Sequence, residues 1–201
     1  MPATDDEIRE KYLERAIREL NELNRELYAC EWCPRAGAMP VLGSGHPLAD
    51  IFLVKFAPTR AEIEEGVAFY GRSGTALLKS FNRLGIDPLC VYGTVVVKCP
   101  VADLELSDAR CHARLAEEFA IVEPRILVVM GERALEAVNA LELPLSVPLE
   151  PKLGVVQRLT PSCEALFVPD IDDSLDEERA KRTFWNAFRV LGEWWAAFPP
   201  Y

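Results

Sequence analysis

Ile8, Leu13, Ile17, Leu20, Leu23 and Leu27 recur near helical spacing in an otherwise charged segment, which predicts one long amphipathic helix over 5–28. Thr4-Asp5-Asp6-Glu7 has the form of a capping box, in which the Thr hydroxyl accepts from the backbone at Glu7 and the Glu7 carboxylate reaches back. Pro34 prevents the helix from resuming. Residues 37–50 carry three Gly and two Pro and read as loop. Ile51–Val54 is apolar on both faces, the pattern of a buried strand. A loop holding Glu62, Glu64, Glu65 and Gly66 leads to Ala68–Gly74, and a helix follows from Thr75 to Leu84, ended by Gly85. Cys90–Val97 is β-branched and aromatic, a second strand. Ser107-Asp108 opens a helix that Pro124 stops, and Arg125–Met130 is the third strand. Gly131 opens a helix to Leu141. After the proline-rich 144–151 segment, Val155–Leu159 and Ala165–Val168 read as further strands. Ser174-Leu175-Asp176-Glu177 is a second capping-box pattern. Phe184, Trp185, Phe188, Leu191, Trp194 and Trp195 form the apolar stripe of a final helix over 175–197.

Strands and helices alternate, and most strands are apolar on both faces. That pattern argues for an α/β fold with a parallel sheet covered by helices on both sides. Ligands of such sheets bind at the carboxyl ends of the strands, so the segments after Val54, Val97, Met130 and Val168 are where chemistry is expected. No linker divides the chain, and residues 1–201 are read as a single domain.

Composition narrows the function classes. Half the residues are apolar and 27% are charged, which excludes a disordered or low-complexity chain. The longest aliphatic run, Ile126–Met130, is far short of the roughly 20 residues of a spanning helix. The acidic start, Met1–Glu7, lacks the basic region of a secretory signal, so a cytoplasmic protein is expected; it is read as a monomer. The 32 acidic residues outnumber the 22 basic ones, a net charge of −10. Such a surface repels polyanions on average, so binding DNA needs a local basic patch, for which Arg72, Lys79 and Arg83 are candidates.

Six cysteines in a reducing compartment do not suggest a disulfide framework. Cys30 and Cys33 form a C-x-x-C, whose turn brings both sulfurs to one side. Cys99 follows a strand and Cys111 falls in the first turn of the next helix, so both can converge on that loop. Four thiolates suit a tetrahedral zinc or a 4Fe–4S cluster, and spacing alone does not separate the two. Cys90 and Cys163 lie in apolar stretches and read as core.

The motifs together resemble a known family. The C-x-x-C is followed by Gly43-Ser44-Gly45-His46-Pro47-Leu48-Ala49-Asp50-Ile51-Phe52-Leu53-Val54 and Phe69-Tyr70-Gly71-Arg72-Ser73-Gly74. Val91-Tyr92-Gly93-Thr94-Val95-Val96-Val97-Lys98-Cys99-Pro100, Cys111 and Glu123–Gly131 continue the pattern. The combination, over residues 25–170, resembles the iron–sulfur uracil-DNA glycosylases of families 4 and 5. The resemblance implies a three-layer α/β/α sandwich with a central parallel four-stranded sheet. It also implies a 4Fe–4S cluster on Cys30, Cys33, Cys99 and Cys111, favouring iron over zinc and fastening the N-terminal helix to the sheet. The implied activity is excision of a damaged or deaminated base from DNA by hydrolysis of its N-glycosidic bond.

The catalytic motifs depart from the family. Where family 4 has Gly-Glu-Gly-Pro-Gly, this chain has Lys55-Phe56-Ala57-Pro58-Thr59, nearer to the Leu-Ala-Pro of family 5. Arg72 stands where family 5 has Asp, and Val95 where family 4 has the Asn that reads the uracil edge. The late His-Pro is absent; the local sequence is Val168-Pro169-Asp170-Ile171-Asp172-Asp173. His46 and His112 lie elsewhere in the chain. Phe69 matches the ring that stacks on the base. Phe56, Ala57, Pro58, Phe69 and Arg72 are therefore the substrate-binding candidates, and Asp172 the catalytic one. Bond cleavage builds positive charge on the sugar and negative charge on the base, so losing such donors matters. The alternative is an inactive 4Fe–4S binding module of the same fold that recognises nucleic acid or a protein partner; a zinc-stabilised domain of unrelated role is the third.

Overall fold

The computed structural model describes residues 5–34, 38–101 and 109–197. Helix α1 (Asp5–Ala29) is followed by β1 (Ser44–Gly45), β2 (Ile51–Lys55), α2 (Arg60–Glu65) and α3 (Arg72–Leu84). A 3₁₀ turn, Pro88–Cys90, leads into β3 (Val91–Val95), and α4 (Ala109–Val122), β4 (Ile126–Met130) and α5 (Glu132–Asn139) come next. The chain continues through β5 (Val156–Arg158), β6 (Glu164–Val168), α6 (Glu178–Phe188) and α7 (Val190–Ala196).

The sheet has six strands in the order β1-β3-β2-β4-β6-β5. Its four inner strands are parallel, the expected sandwich core, and antiparallel β1 and β5 are added at the edges. The sheet has two strands more than the four implied: β5 is the Val155–Leu159 strand expected from its own residues, whereas β1 is only two residues in a Gly- and Pro-rich stretch without strand-forming side chains. Gly45 is required there: its φ is +128°, and a Cβ would lie 2.2 Å from the Val91 carbonyl oxygen.

Every residue of β2, β3 and β4 is buried. Alternation by two sends Phe52, Val54, Leu127, Val129 and Phe167 to one face, with Leu20, Leu115 and Leu135 of the helices above it. Leu53, Val128, Met130, Leu166 and Val168 go to the other face, against Leu77, Phe81, Phe188 and Leu191. Full burial of such side chains contributes about 1.5–3 kcal/mol each.

The element boundaries differ in instructive places. Helix α1 buries Ala16, Leu20, Leu23 and Leu27 but leaves Ile8 and Ile17 exposed, so only its second half packs. Thr4 of the first capping box and Ser107-Asp108 lie outside the described residues. The expected loop around Glu62 contains α2, and α3 begins at Arg72 rather than Thr75. The single final helix is two, α6 and α7, and it starts at Glu178 without the Ser174 box. The Ser174 hydroxyl is buried and donates instead to the Asp170 carbonyl at 2.6 Å. At the break, Gly192 N–H donates to Arg189 O only three residues back, and Gly192 packs against Leu84 of α3. Cys90 is half-buried in the 3₁₀ turn rather than within a strand, whereas Cys163 is buried just ahead of β6. Burial pushes the Cys163 thiol up to about 12, so it stays protonated as a core residue. No helix among the described residues is long and apolar enough to cross a membrane.

Candidate active site

The carboxyl ends of β2, β4 and β6 open onto a cleft of about 650 Å³, lined by Phe56 and Ala57, by Gly131 and Arg133, and by Asp170 and Asp172 among others. The Arg133 guanidinium lies 4.0 Å from the centre of the Phe56 ring, and His112 meets that ring edge-on at 6.2 Å. Phe56 is thereby fixed as one wall of the cleft.

Thr59-Arg60-Ala61-Glu62 forms a capping box that nucleates α2. Its carboxylate does more than cap. Glu62 is fully buried; its Oε2 accepts from Thr59 N at 2.6 Å and Thr59 Oγ1 at 2.9 Å. Its Oε1 accepts from the backbone N–H of Phe69. Lys55, the last residue of β2 and also fully buried, donates through Nζ to Glu62 Oε2 at 2.6 Å and to Asp172 Oδ2 at 2.5 Å. The same ammonium lies 5.4 Å from the centre of the Phe69 ring.

Phe69 has φ +59°, a left-handed conformation that a bulky residue adopts at a cost of about 1–3 kcal/mol. The surrounding structure imposes it. Glu62 holds its N–H, a Cβ on Gly74 would lie 1.9 Å from its carbonyl oxygen, and one on Gly93 would lie 2.6 Å from its ring. This explains the glycine spacing of the Phe69–Gly74 motif. Phe69 also lines a pocket of about 360 Å³, with Ser44, Leu53, Tyr70, Thr75 and Gly93. The ring therefore stands between that pocket and the buried ammonium.

On the far side, the Asp172 backbone N–H donates to Asp170 Oδ1 at 2.8 Å, and burial pushes the Asp170 carboxyl upward from its ordinary range. The Asp172 side chain is 26% exposed and faces the cleft.

Of the residues expected from sequence, the fold brings Phe56, Ala57 and Asp172 together in the cleft, with half-buried Pro58 in the same loop, while Phe69 lines the neighbouring pocket and is linked to Asp172 through the Lys55 ammonium. Arg72 lies outside it, 71% exposed and paired with Asp176 at 2.6 Å. Arg83 packs over Trp185 at 4.5 Å, so two of the three residues of the expected basic strip, Arg72 and Arg83, are engaged with other parts of the surface. Val95 is buried in a small cluster with Val41 and Ala68, against which Phe69 packs. The sequence reading missed Lys55 and Glu62. Two signals pointed to them: a lysine ending an all-apolar strand, and a T-x-x-E pattern at the start of α2.

The cysteine residues occupy the other flank. Cys30 is half-buried just past α1, and buried Cys33 and Cys99 share a small cluster with Val101. The backbone of Cys111 is in the first turn of α4; its side chain lies outside the described residues. Among the described residues, no group of three or more His, Cys, Asp or Glu is placed to hold a metal. The buried Cys33–Cys99 pair and the soft character of four thiols nonetheless fit an iron–sulfur or zinc centre. A second buried ion pair stands beside it. Lys98 Nζ donates to Glu118 Oε2 and Thr94 Oγ1, each at 2.6 Å, and Tyr92 O–H donates to Glu118 Oε1 at 3.1 Å. Arg114 of α4 binds Glu26 of α1 at 2.6 Å and faces the Trp32 ring at 5.6 Å, so α1 and α4 are joined next to the cysteines.

Comparison with known proteins agrees with this arrangement. The family model for the uracil DNA glycosylase superfamily matches residues 42–189, the whole sheet and its site. A type-4 uracil-DNA glycosylase of Sulfurisphaera tokodaii is 31% identical over 124 residues, covering 57% of this chain and 56% of that protein. One from Pyrobaculum aerophilum is 29% identical over 121 residues, 56% of this chain and 61% of the relative. One from Archaeoglobus fulgidus is 27% identical over 186 residues, 88% of this chain and 94% of the relative. The chain thus spans little more than half the length of the first two relatives and nearly all of the third. With the matched stretch containing the parallel strands, the Phe69 turn and the Asp172 loop, the chain belongs to the uracil-DNA glycosylase superfamily.

Proposed function

We propose that this protein is a DNA glycosylase of base-excision repair, acting on a damaged or deaminated base extruded from the duplex. The observation that carries the reading is the convergence of Phe69 and Asp172 on one buried ammonium at the carboxyl edge of the sheet. The extruded base stacks on Phe69, with Phe56, Ala57 and Pro58 beside it. Water adds to C1′ of the sugar as the glycosidic bond breaks. The base departs with the bonding electrons and takes up a proton from solvent, while the water proton passes to the Asp172 carboxylate, which then returns it to solvent. The Lys55, Glu62 and Asp172 charges sum to −1, which suits the positive charge that builds on the sugar. Arg133, at the mouth beside Phe56, is the cation placed to meet a phosphate against the overall negative surface. Arg72 is proposed as a further DNA contact once its exposed pairing with Asp176 gives way.

Cys30, Cys33, Cys99 and Cys111 would hold a 4Fe–4S cluster. Its role is structural: bridging the segment after α1 to the segment after β3. A brown protein with broad visible absorption is the expected sign, and a colourless protein carrying zinc would remove the iron assignment.

The decisive test is base release from uracil- and hypoxanthine-containing oligonucleotides by protein purified without oxygen. Release is expected, and Asp172→Asn is expected to slow it by about 100-fold or more, the usual scale for a positioned carboxylate. No release across a panel of lesions would leave the chain as a binding module. Gly93→Ala drives a methyl into the Phe69 ring, so lesion-duplex affinity should fall roughly tenfold, within the range of one lost base–aromatic stack. Unchanged affinity in a filter-binding titration would argue against Phe69 as the stacking ring.

A further inference from the structure

Lys55 ends a strand of apolar residues and is fully buried with them. An ammonium removed from water is retained only where its charge and its three donors are answered. Glu62 Oε2 and Asp172 Oδ2 answer it at 2.6 and 2.5 Å, and the Phe69 ring lies 5.4 Å away. The two carboxylates are not equivalent. Glu62 is itself buried and also accepts from Thr59 N, Thr59 Oγ1 and Phe69 N, so those bonds would hold it in place without the lysine. Asp172 lies on the loop after β6, partly exposed at the cleft, and Lys55 is the side chain that its carboxylate meets there. Asp170 and Asp173 are its immediate acidic neighbours and repel it.

We infer that Lys55 is a positioning residue: its buried ammonium fixes the Asp172 carboxylate at the mouth of the cleft relative to the Phe69 ring. The two functional groups come from segments more than 100 positions apart in sequence. One cation sets the distance between them, directly to Asp172 and through Glu62 to the backbone of Phe69. The inference rests on the glycosylase reading for its consequence, since a carboxylate displaced by about 1 Å from its water costs roughly 100-fold in rate. It does not rest on that reading for the placement itself.

The experiment is a double-mutant cycle between Lys55→Met and Asp172→Asn, with Lys55→Gln, which keeps two N–H donors, as the second variant where Met does not fold. Single-turnover base release by Lys55→Met is expected to fall roughly 100-fold, with lesion-duplex affinity within about threefold of the parent. In the Asp172→Asn background the same substitution is expected to cost less than about threefold, because the group it positions is already gone. Multiplying effects would mean that Lys55 acts elsewhere and would overturn the inference. A crystal structure of Lys55→Gln supplies the arm that needs no activity. Asp172 is expected to leave its place by more than about 1 Å, and an unmoved carboxylate overturns the inference. Should the parent protein release no base, the glycosylase reading fails, while the position of Asp172 in that variant still decides the role of Lys55.

Discussion

Cys99→Ala is expected to lower the thermal midpoint by more than about 15 °C, or to prevent folding. Two buried cysteines make the comparison sharp. Cys99 is 1% exposed and Cys163 is 2% exposed, so both lose similar packing when truncated to alanine. Deleting one buried sulfur should cost about 1–2 kcal/mol, which is a few degrees in a chain of this size. A thiolate that ligates a structural centre is a different matter. Metal binding to a structural site is worth roughly 10–16 kcal/mol in small domains, comparable with the whole net stability of about 5–15 kcal/mol. Cys163, protonated in the core with its thiol pushed up to about 12, has no such partner. Anaerobic thermal unfolding of the two variants, side by side with the parent, reads the difference. Equal small shifts would mean that Cys99 is only a core residue and that no shared centre fastens the segment after α1 to the end of β3.

The fold was legible because its strands are buried on both faces. Ile51–Val54 and Ile126–Met130 are apolar throughout, and such runs occur in the middle of parallel sheets. The edges were less legible. Strand β1 has no strand-forming residue and exists because Gly45 lets the chain pass within contact distance of Val91. The final helix was misread at both its start and its middle, since Ser174 spends its hydroxyl on the Asp170 loop and Gly192 gives way to Leu84. At the site, Phe56, Phe69 and Asp172 were found by their positions after strands or in the glycine motif. Lys55 and Glu62 were not, because sequence assigns charged residues to the surface, and a buried pair is visible only when the elements that enclose it are assembled. Glu62 was within reach, since Thr59 stands three residues before it. Their partnership with Asp172 was not, as no local pattern connects β2 to the loop after β6.

The two buried lysine–glutamate pairs are expected to respond differently to removal, and the difference separates a structural pair from a functional one. Glu118→Leu strands Lys98, fully buried, with only Thr94 Oγ1 and Val95 O as partners, and also takes the acceptor from Tyr92. Breaking a buried pair on one side costs about 3–5 kcal/mol. Replacing both partners by apolar residues of similar size is often neutral, so Lys98→Met/Glu118→Leu, made in a Tyr92→Phe background that removes the hydroxyl Glu118 accepts from, is expected to recover to within about 1–2 kcal/mol of that background. Lys55→Met/Glu62→Leu should recover less. That double variant still leaves the Phe69 N–H without its acceptor and removes the partner of the Asp172 carboxylate. An unmet buried N–H alone costs about 1–3 kcal/mol. Urea unfolding of the two single and two double variants measures both. The expected pattern is stability near that of the Tyr92→Phe background at 98/118, and at 55/62 a fold that survives while base release stays depressed. If the 98/118 double variant were as unstable as Glu118→Leu alone in that background, the Lys98–Glu118 contact would be tied to the chemistry of Cys99 beside it, and the division between the two pairs would fall.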